Sequence, residues 1–367
     1  MSARSFGRPW PEFNAGLAYS DAVRSHYSGL TLIEFYSVNH SNSAPLQGWL
    51  QRINNGQITI DGEVNTDPNT VLRVGSKLVY NRLPWREPDT PYLLEVLFED
   101  DHLLVINKPS GLQVLSGGLF QQRTVLQQLQ WQESDQVFVH EHQGMHPVPV
   151  HRLGRGTSGI LLCAKTKLAK TRLSAYFADG TSLVLDNSKA DKATGRRKIS
   201  KFYRALASGI LDQDEVVIKQ PIGIVQYPGV AKGLYVASVT AGKQALSKVK
   251  VLERDVQRNR MLVEVEIQSG RPHQIRIHLS YIGHPLIGDP LYVAGGIPNC
   301  FDPEVGEGRF ASDGGYERPL KPVPGDCGYH LHAHRLFFPH PTTNEMIPIT
   351  APLPFILQTS KEGCNGI

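Results

Sequence analysis

His151-Arg152-Leu153-Gly154-Arg155-Gly156-Thr157-Ser158-Gly159-Ile160-Leu161-Leu162-Cys163-Ala164 falls into two parts of opposite character. Up to Gly159 it is a polar, glycine-punctuated loop carrying Arg152 and Arg155. From Ile160 to Ala164 it is a short apolar run, the length of a buried strand rather than a helix. Chemistry-bearing side chains are thus delivered to the end of a sheet. Working outward, Leu103 to Ile106 is a second apolar run, stopped by Pro109 and Gly111. Thr166 is placed to cap a helix through about Phe177. Lys248 to Glu253 and Met261 to Gln268 read as a strand pair across Gln257-Arg258-Asn259-Arg260. Many strands with few helices predict an α+β fold with a mixed, mainly antiparallel sheet over residues 95–354.

The chain has 367 residues, room for one large domain or two of ordinary size. Charged residues make up 20% and no apolar run approaches a membrane span, so a membrane partner is not expected. The net charge of +4 permits a polyanionic partner without demanding one. Cys163, Cys300, Cys327 and Cys364 are widely spaced and read as free thiols. His330, His332 and His334 alternate on one strand face, but no carboxylate or cysteine cluster accompanies them, so no metal is expected. The N-terminus lacks the apolar segment of a secretory signal, which gives a cytoplasmic or nuclear protein as the expectation, with an organelle as the alternative. A monomer is expected.

Residues 1–28 show no periodicity and read as an extended arm. Residues 29–86 read as a compact unit, with a helix ending at Gly56 and a hairpin in which Ile58, Ile60 and Val64 flank the turn Asp61-Gly62. This helix plus hairpin resembles the small RNA-binding module first known from a ribosomal small-subunit protein. A helix and hairpin with no RNA role is the alternative. Arg52, Lys77, Arg82 and Arg86 are the basic side chains available for phosphate contacts. Pro84 to Pro91 reads as a Pro-rich linker. Residues 179–198, with Arg196 and Arg197, and residues 294–327, rich in Gly and Pro, read as inserted loops.

Four blocks in order carry a family resemblance. They are Leu103 to Gly111 with His151 to Gly159; Lys201-Phe202-Tyr203-Arg204-Ala205-Leu206; Gly270-Arg271-Pro272-His273-Gln274-Ile275-Arg276-Ile277-His278-Leu279 through Gly288-Asp289; and Leu331-His332-Ala333 with His340-Pro341. Together they resemble the RluA-type RNA pseudouridine synthases, whose loop reads H-R-L-D-x-x-T-S-G. The resemblance implies an RNA substrate, no cofactor, and isomerisation of a uridine flipped out of its stack. It implies that Arg152 enters the space of the flipped base. Tyr203 is then the residue that stacks on uracil, Arg276 the partner of a catalytic aspartate, and Ile277 or Leu279 an apolar wall.

One position departs from the pattern: Gly154 stands where the family has that aspartate. The aspartate would attack the sugar or take the proton from its 2′-carbon, and both roles need a carboxylate. Asp100, Asp101 and Asp289 are the nearby acids in the motifs, and none reads as a stand-in; Asp289 reads as a turn residue. Arg276 is therefore expected to lack its usual carboxylate, leaving another acid, water or RNA phosphate to answer it. Two readings stay open, an RNA-uridine isomerase and a non-catalytic RNA-binding protein or RNA chaperone on the same scaffold.

Overall fold

The computed structural model describes residues 4–41, 43–136, 146–182, 199–227, 230–238, 242–299, 310–319 and 327–364. The chain begins with β1 (Ser5–Phe6), β2 (Leu17–Ala22), α1 (Leu32–Asn39), α2 (Leu46–Asn54), β3 (Ile58–Ile60), β4 (Glu63–Asn65) and β5 (Lys77–Arg82). Strands β2, β5, β3 and β4 form a four-stranded sheet in that order. The expected hairpin is there: Ile60 pairs with Glu63, and Asp61 and Gly62 both take the positive φ that a tight two-residue turn requires. Thr31 and Glu34 cap α1 reciprocally.

The larger unit follows with β6 (Leu94–Glu99), β7 (Leu103–Lys108), α3 (Val125–Gln136), β8 (Val148–Pro149), β9 (Ser158–Ala164), α4 (Lys167–Ser182) and β10 (Ser200–Ser208). It continues with β11 (Glu215–Ile218), β12 (Ile222–Tyr227), β13 (Val230–Ala237), β14 (Ser247–Asp255), β15 (Arg260–Ile267) and α5 (Gln274–Tyr281). The last elements are β16 (Phe310–Ser312), β17 (Glu317–Pro319), β18 (Leu331–Pro339), β19 (Met346–Thr350) and α6 (Ser360–Cys364). An eleven-stranded sheet runs β1-β6-β7-β9-β18-β10-β15-β14-β11, with β19 and β8 attached to β18 and β9. Every pairing in it is antiparallel except β9 with β18, where Ser158 faces His332 and Gly159 faces Ala333.

That parallel pair is the seam between two cores. One gathers Leu104, Ile106, Leu161, Leu162 and Phe338 under α4. The other gathers Val249, Val263, Val265, Ile275 and Leu279 under α5. Glycine is obligatory at the seam: a Cβ on Gly159, at φ 105°, would lie 2.3 Å from the Ala333 carbonyl oxygen. Among the described residues no helix is long and apolar enough to cross a membrane.

Three expectations need correction. The stretch read as an extended arm is built into the fold from Ser5 onward, because β1 pairs with β6 in the large sheet and β2 with β5 in the small one. The stretch read as a linker is a buried strap. Trp85 and Glu87 are each 1% exposed, and the Glu87 carboxylate accepts the backbone N–H groups of Gln121, Gln122 and Arg123 and the amide of Asn14. The 294–327 insertion is not irregular throughout, since its β16–β17 hairpin docks on the small unit.

This docking disposes of two supposed RNA contacts. Arg52 is fully buried, with its guanidinium 4.7 Å from the Trp49 ring and 5.5 Å from the Tyr316 ring, and its Nη2 lies 3.6 Å from an Asp313 carboxylate oxygen. Arg82 is buried as well and donates to the same carboxylate while its guanidinium stacks on Trp85. The Gln57 amide donates to the Gly314 carbonyl at 2.8 Å. Burying two guanidinium groups is tolerable only because Asp313 reaches them from outside the module. Lys77 is exposed, Arg86 is exposed beside Asp89, and Arg196 and Arg197 lie outside the described residues.

Asp313→Ala is therefore expected to cost about 3–5 kcal/mol, the range for breaking a buried ion pair by deleting one partner. Chemical denaturation should show the loss in the small unit, and protease should then cut near residues 82–91. An unchanged denaturation midpoint would contradict this account of the docking.

Candidate active site

The loop from His151 to Thr157 is held from both sides. Lys108, fully buried at the end of β7, donates through Nζ to the carbonyls of Pro109, Leu112 and Arg155. Ser110 donates to the Gly156 carbonyl at 2.7 Å. The His151 imidazole accepts the Leu162 N–H through Nε2, and burial drives its pKa down to about 3, so the ring is neutral as that bond requires. Thr157 N–H closes a turn onto the Gly154 carbonyl. Arg152 points out to solvent with no side-chain partner among the described residues, free to meet a ligand.

Gly154 is half-buried and its φ is not positive, so the backbone does not demand glycine there. Its missing side chain faces two oxygens. A Cβ built on it would lie 2.9 Å from Tyr329 Oη and 3.4 Å from Thr157 Oγ1, with nothing else within 4 Å. These two hydroxyls are 3.2 Å apart and share a hydrogen bond. Parallel pairing brings them together, since Thr157 immediately precedes β9 and Tyr329 stands just before β18 at the same end of the seam.

Tyr329 in turn lies on Arg276, whose Cζ is 4.3 Å from its ring centroid and 5.0 Å from that of Tyr292. The sequence left Arg276 without a carboxylate, and the structure corrects this. Asp289 accepts from Arg276 Nε at 2.7 Å and Nη2 at 2.8 Å, a bidentate pair at the base of α5. The same Asp289 also accepts the Leu291 and Tyr292 N–H groups, so it is a turn residue and an ion-pair partner at once. Burial opposes the charge of Arg276, but Asp289 and the neighbouring tyrosines outweigh it and hold the guanidinium pKa above its ordinary value. Arg276 Nη1 is buried with no acceptor among the described residues.

Tyr203 sits one strand over, on β10, flanked by Ala333 of β18 and Val265 of β15, and burial raises its phenol to about 12. With His151, Ile160, Phe177, Lys201 and Ala333 it lines a narrow cleft. The loop, Tyr329 and Arg276 thus meet at the end of the seam, and Tyr203 stands one strand away on β10. Ile277 and Leu279 do not join them. Both are fully buried, Ile277 among Ile222, Leu291 and Tyr292 and Leu279 in the core under α5, so they serve packing rather than an open apolar wall. Among the described residues no three potential metal ligands converge; His332 bonds Ser158 and His334 bonds the Ala351 carbonyl.

Sequence reasoning passed over Tyr329, Lys108 and Lys201. Lys108 was visible in Asn107-Lys108-Pro109, where a lysine precedes a chain reversal full of carbonyls. Tyr329 had no signal, because it follows a long insertion and its role depends on which strands pair. Lys201 carries its charge beside the Phe177 ring at 5.6 Å, and burial lowers its pKa to about 8.

Residues 102–281 match the sequence model described as RNA pseudouridylate synthase. RNA pseudouridine synthase 5 of Arabidopsis thaliana is 66% identical over 361 residues, covering 97% of this chain and 98% of that one. The rice protein of the same name is 63% identical, covering 98% and 92%. Ribosomal large subunit pseudouridine synthase D of Pseudomonas aeruginosa is 33% identical, covering 86% and 85%.

The buried Lys201 charge fixes a pH dependence. The folded chain releases this proton more readily than the unfolded chain, whose lysine keeps the ordinary value of 10.5. Between about pH 8 and 10.5 the unfolded state holds more protons, so stability from this group rises with pH. Lys201→Met should stabilise the protein by up to roughly 3 kcal/mol at pH 7, a gain that shrinks as the pH passes through that window. Urea denaturation of both proteins at pH 7 and near pH 10 measures it.

Proposed function

The chain belongs to the RluA-type RNA pseudouridylate synthase family, and on that premise we infer that it isomerises uridine to pseudouridine in RNA. The observation that carries this reading is the meeting of the motif loop, Tyr329 and Arg276 at the end of the β9–β18 seam, with Tyr203 on the neighbouring strand and Arg152 exposed. Pseudouridine formation breaks the bond from ribose C1′ to uracil N1, turns the base and rejoins it through C5. No net oxidation or hydrolysis occurs, and the residues of this site are of the kind the reaction uses. Arg152 would fill the space left by the flipped nucleotide. Tyr203 would offer its ring to the uracil face, and burial keeps its phenol protonated at neutral pH. Arg276, fixed by Asp289, would supply a rigid positive charge at the reacting end.

We place Gly154 at the position the family gives to its catalytic aspartate. The geometry favours an intact pocket over a decayed one: the loop is anchored by Lys108 and Ser110, and Arg276 has a full bidentate partner. A scaffold that only bound RNA would not need a guanidinium buried at this depth.

Incubation of the chain with RNA labelled with tritium at uracil C5 is the direct test. Tritium should be released in step with pseudouridine formation, mapped by chemical adducts, because product and substrate have equal mass. RNA binding without tritium release would sink the enzyme reading and leave the RNA-binding scaffold. Binding itself should weaken about tenfold or more between 50 and 200 mM salt, as phosphate contacts dominate such complexes. A filter-binding titration at several salt concentrations reads this out.

A further inference from the structure

We propose that Lys201 is a catalytic residue of this site, its ammonium group donating to a uracil carbonyl oxygen and answering the negative charge that the base takes as it leaves ribose. The inference rests on the reading of the chain as a uridine isomerase.

Lys201 and Tyr203 stand two residues apart on β10, so their side chains share one face of the sheet. Both line the narrow cleft, together with His151, Phe177 and Arg335. A two-residue step along a strand spans roughly 6.5 Å. A base laid against the Tyr203 ring therefore brings its edge within reach of the lysine amine.

Four titratable side chains line the cleft, and three of them are already answered. Burial and the Lys201 charge keep the His151 ring neutral. The Tyr203 phenol holds its proton. Arg335 on β18 donates to Glu264 on β15 at 2.7 Å, and its guanidinium stacks on Phe202. Lys201 is only 9% exposed, and among the described residues its amine meets the Phe177 ring of α4 but no hydrogen-bond acceptor and no carboxylate. An ammonium withdrawn from water without an acceptor is destabilising, and the fall of its pKa to about 8 follows from that desolvation. The group still carries its proton for the most part at neutral pH. A carbonyl oxygen arriving with the substrate supplies the acceptor that the fold withholds.

When the C1′–N1 bond breaks, both electrons go to the base, and the charge spreads over N1 and the two carbonyl oxygens. The ribose ring oxygen shares the positive charge left on C1′. Lys201 keeps its proton and donates to one carbonyl oxygen, more strongly to the detached anion than to the neutral base. The base turns and C5 attacks C1′. The C5 hydrogen leaves to solvent as a proton, N1 takes one up, and the net change is uridine to pseudouridine. Gly154 enlarges this contribution: a loop without a carboxylate cannot act on the sugar, so bond breaking must be favoured from the side of the base.

Single-turnover tritium release from RNA labelled at uracil C5 tests the assignment, with RNA affinity and urea denaturation measured on the same proteins. Lys201→Met should lower the rate constant by about 100-fold or more, while RNA affinity stays within about threefold. Its denaturation midpoint at pH 7 should not fall, which separates a lost substrate contact from a damaged fold. The rate of the unaltered enzyme should fall by about tenfold per pH unit above about pH 8, as the ammonium loses its proton. Lys201→Arg, charged throughout, should keep a measurable rate without that descent. A Lys201→Met rate within threefold of the unaltered enzyme overturns the proposal and leaves the isomerase reading standing. So does a rate that climbs through pH 8, which would make the amine a proton acceptor. Should either variant fail to fold, the profile of the unaltered enzyme decides alone, and a flat one across that pH overturns the proposal. No tritium release by the unaltered chain at any pH overturns the isomerase reading, and this proposal with it.

Discussion

A guanidinium buried to 2% exposure must be answered, and the way Arg276 is answered organises the centre of this molecule. Asp289 takes two of its donors, so the first turn of α5 is tied to the Gly288-Asp289 reversal that follows the helix. Tyr292 and Tyr329 both set their rings against it. Tyr292 in turn bonds His273 at the start of α5 and the Tyr235 carbonyl on β13, extending the same fixed point to the β12–β13 ribbon. The residue that sits against Gly154 is thus positioned by an ion pair it does not belong to.

The second constraint is topological. In an otherwise antiparallel sheet, a single parallel pairing makes two strands start from one end, and the loops before them meet. Here those loops hold Gly154, Thr157 and Tyr329. An antiparallel β9–β18 pair would send Tyr329 to the opposite edge of the sheet. Gly159 enforces the closeness of the two strands, since no other residue could let the Ala333 backbone approach as it does. Loop chemistry and strand pairing are therefore one arrangement, fixed by a glycine at the seam.

Much of this was legible in the chain. Apolar runs such as Ile160 to Ala164 announced buried strands because their length and composition leave little choice, and Asp61-Gly62 announced its turn because few residues accept that backbone. Arg52 shows where such reasoning stops. On an isolated helix and hairpin a basic residue belongs in solvent, and only the Asp313 hairpin, some 260 residues away, turns it into a core residue. Asp289 was misjudged for a related reason: its Asx-type bonds to Leu291 and Tyr292 were readable locally, but its second partner lies back across α5. Ile277 and Leu279 lay in a motif that suggested a ligand wall, whereas α5 is buried on every side from Gln274 to Ser280, so both pack inside the protein.

The absence of a carboxylate from the loop invites the conclusion that the site is empty of function. The surroundings argue otherwise. Position 154 faces two polar atoms, the hydroxyls of Tyr329 and Thr157, where a decayed pocket would be expected to fill with apolar side chains. Beneath it sits a charge held in place at considerable electrostatic cost. Desolvated cations that contribute nothing are expensive to retain, and an apolar side chain in place of Arg276 would pack between Tyr292 and Tyr329 without needing Asp289. That the pair is present, and that Nη1 remains directed at no protein acceptor among the described residues, fits a site whose last partner arrives with the substrate.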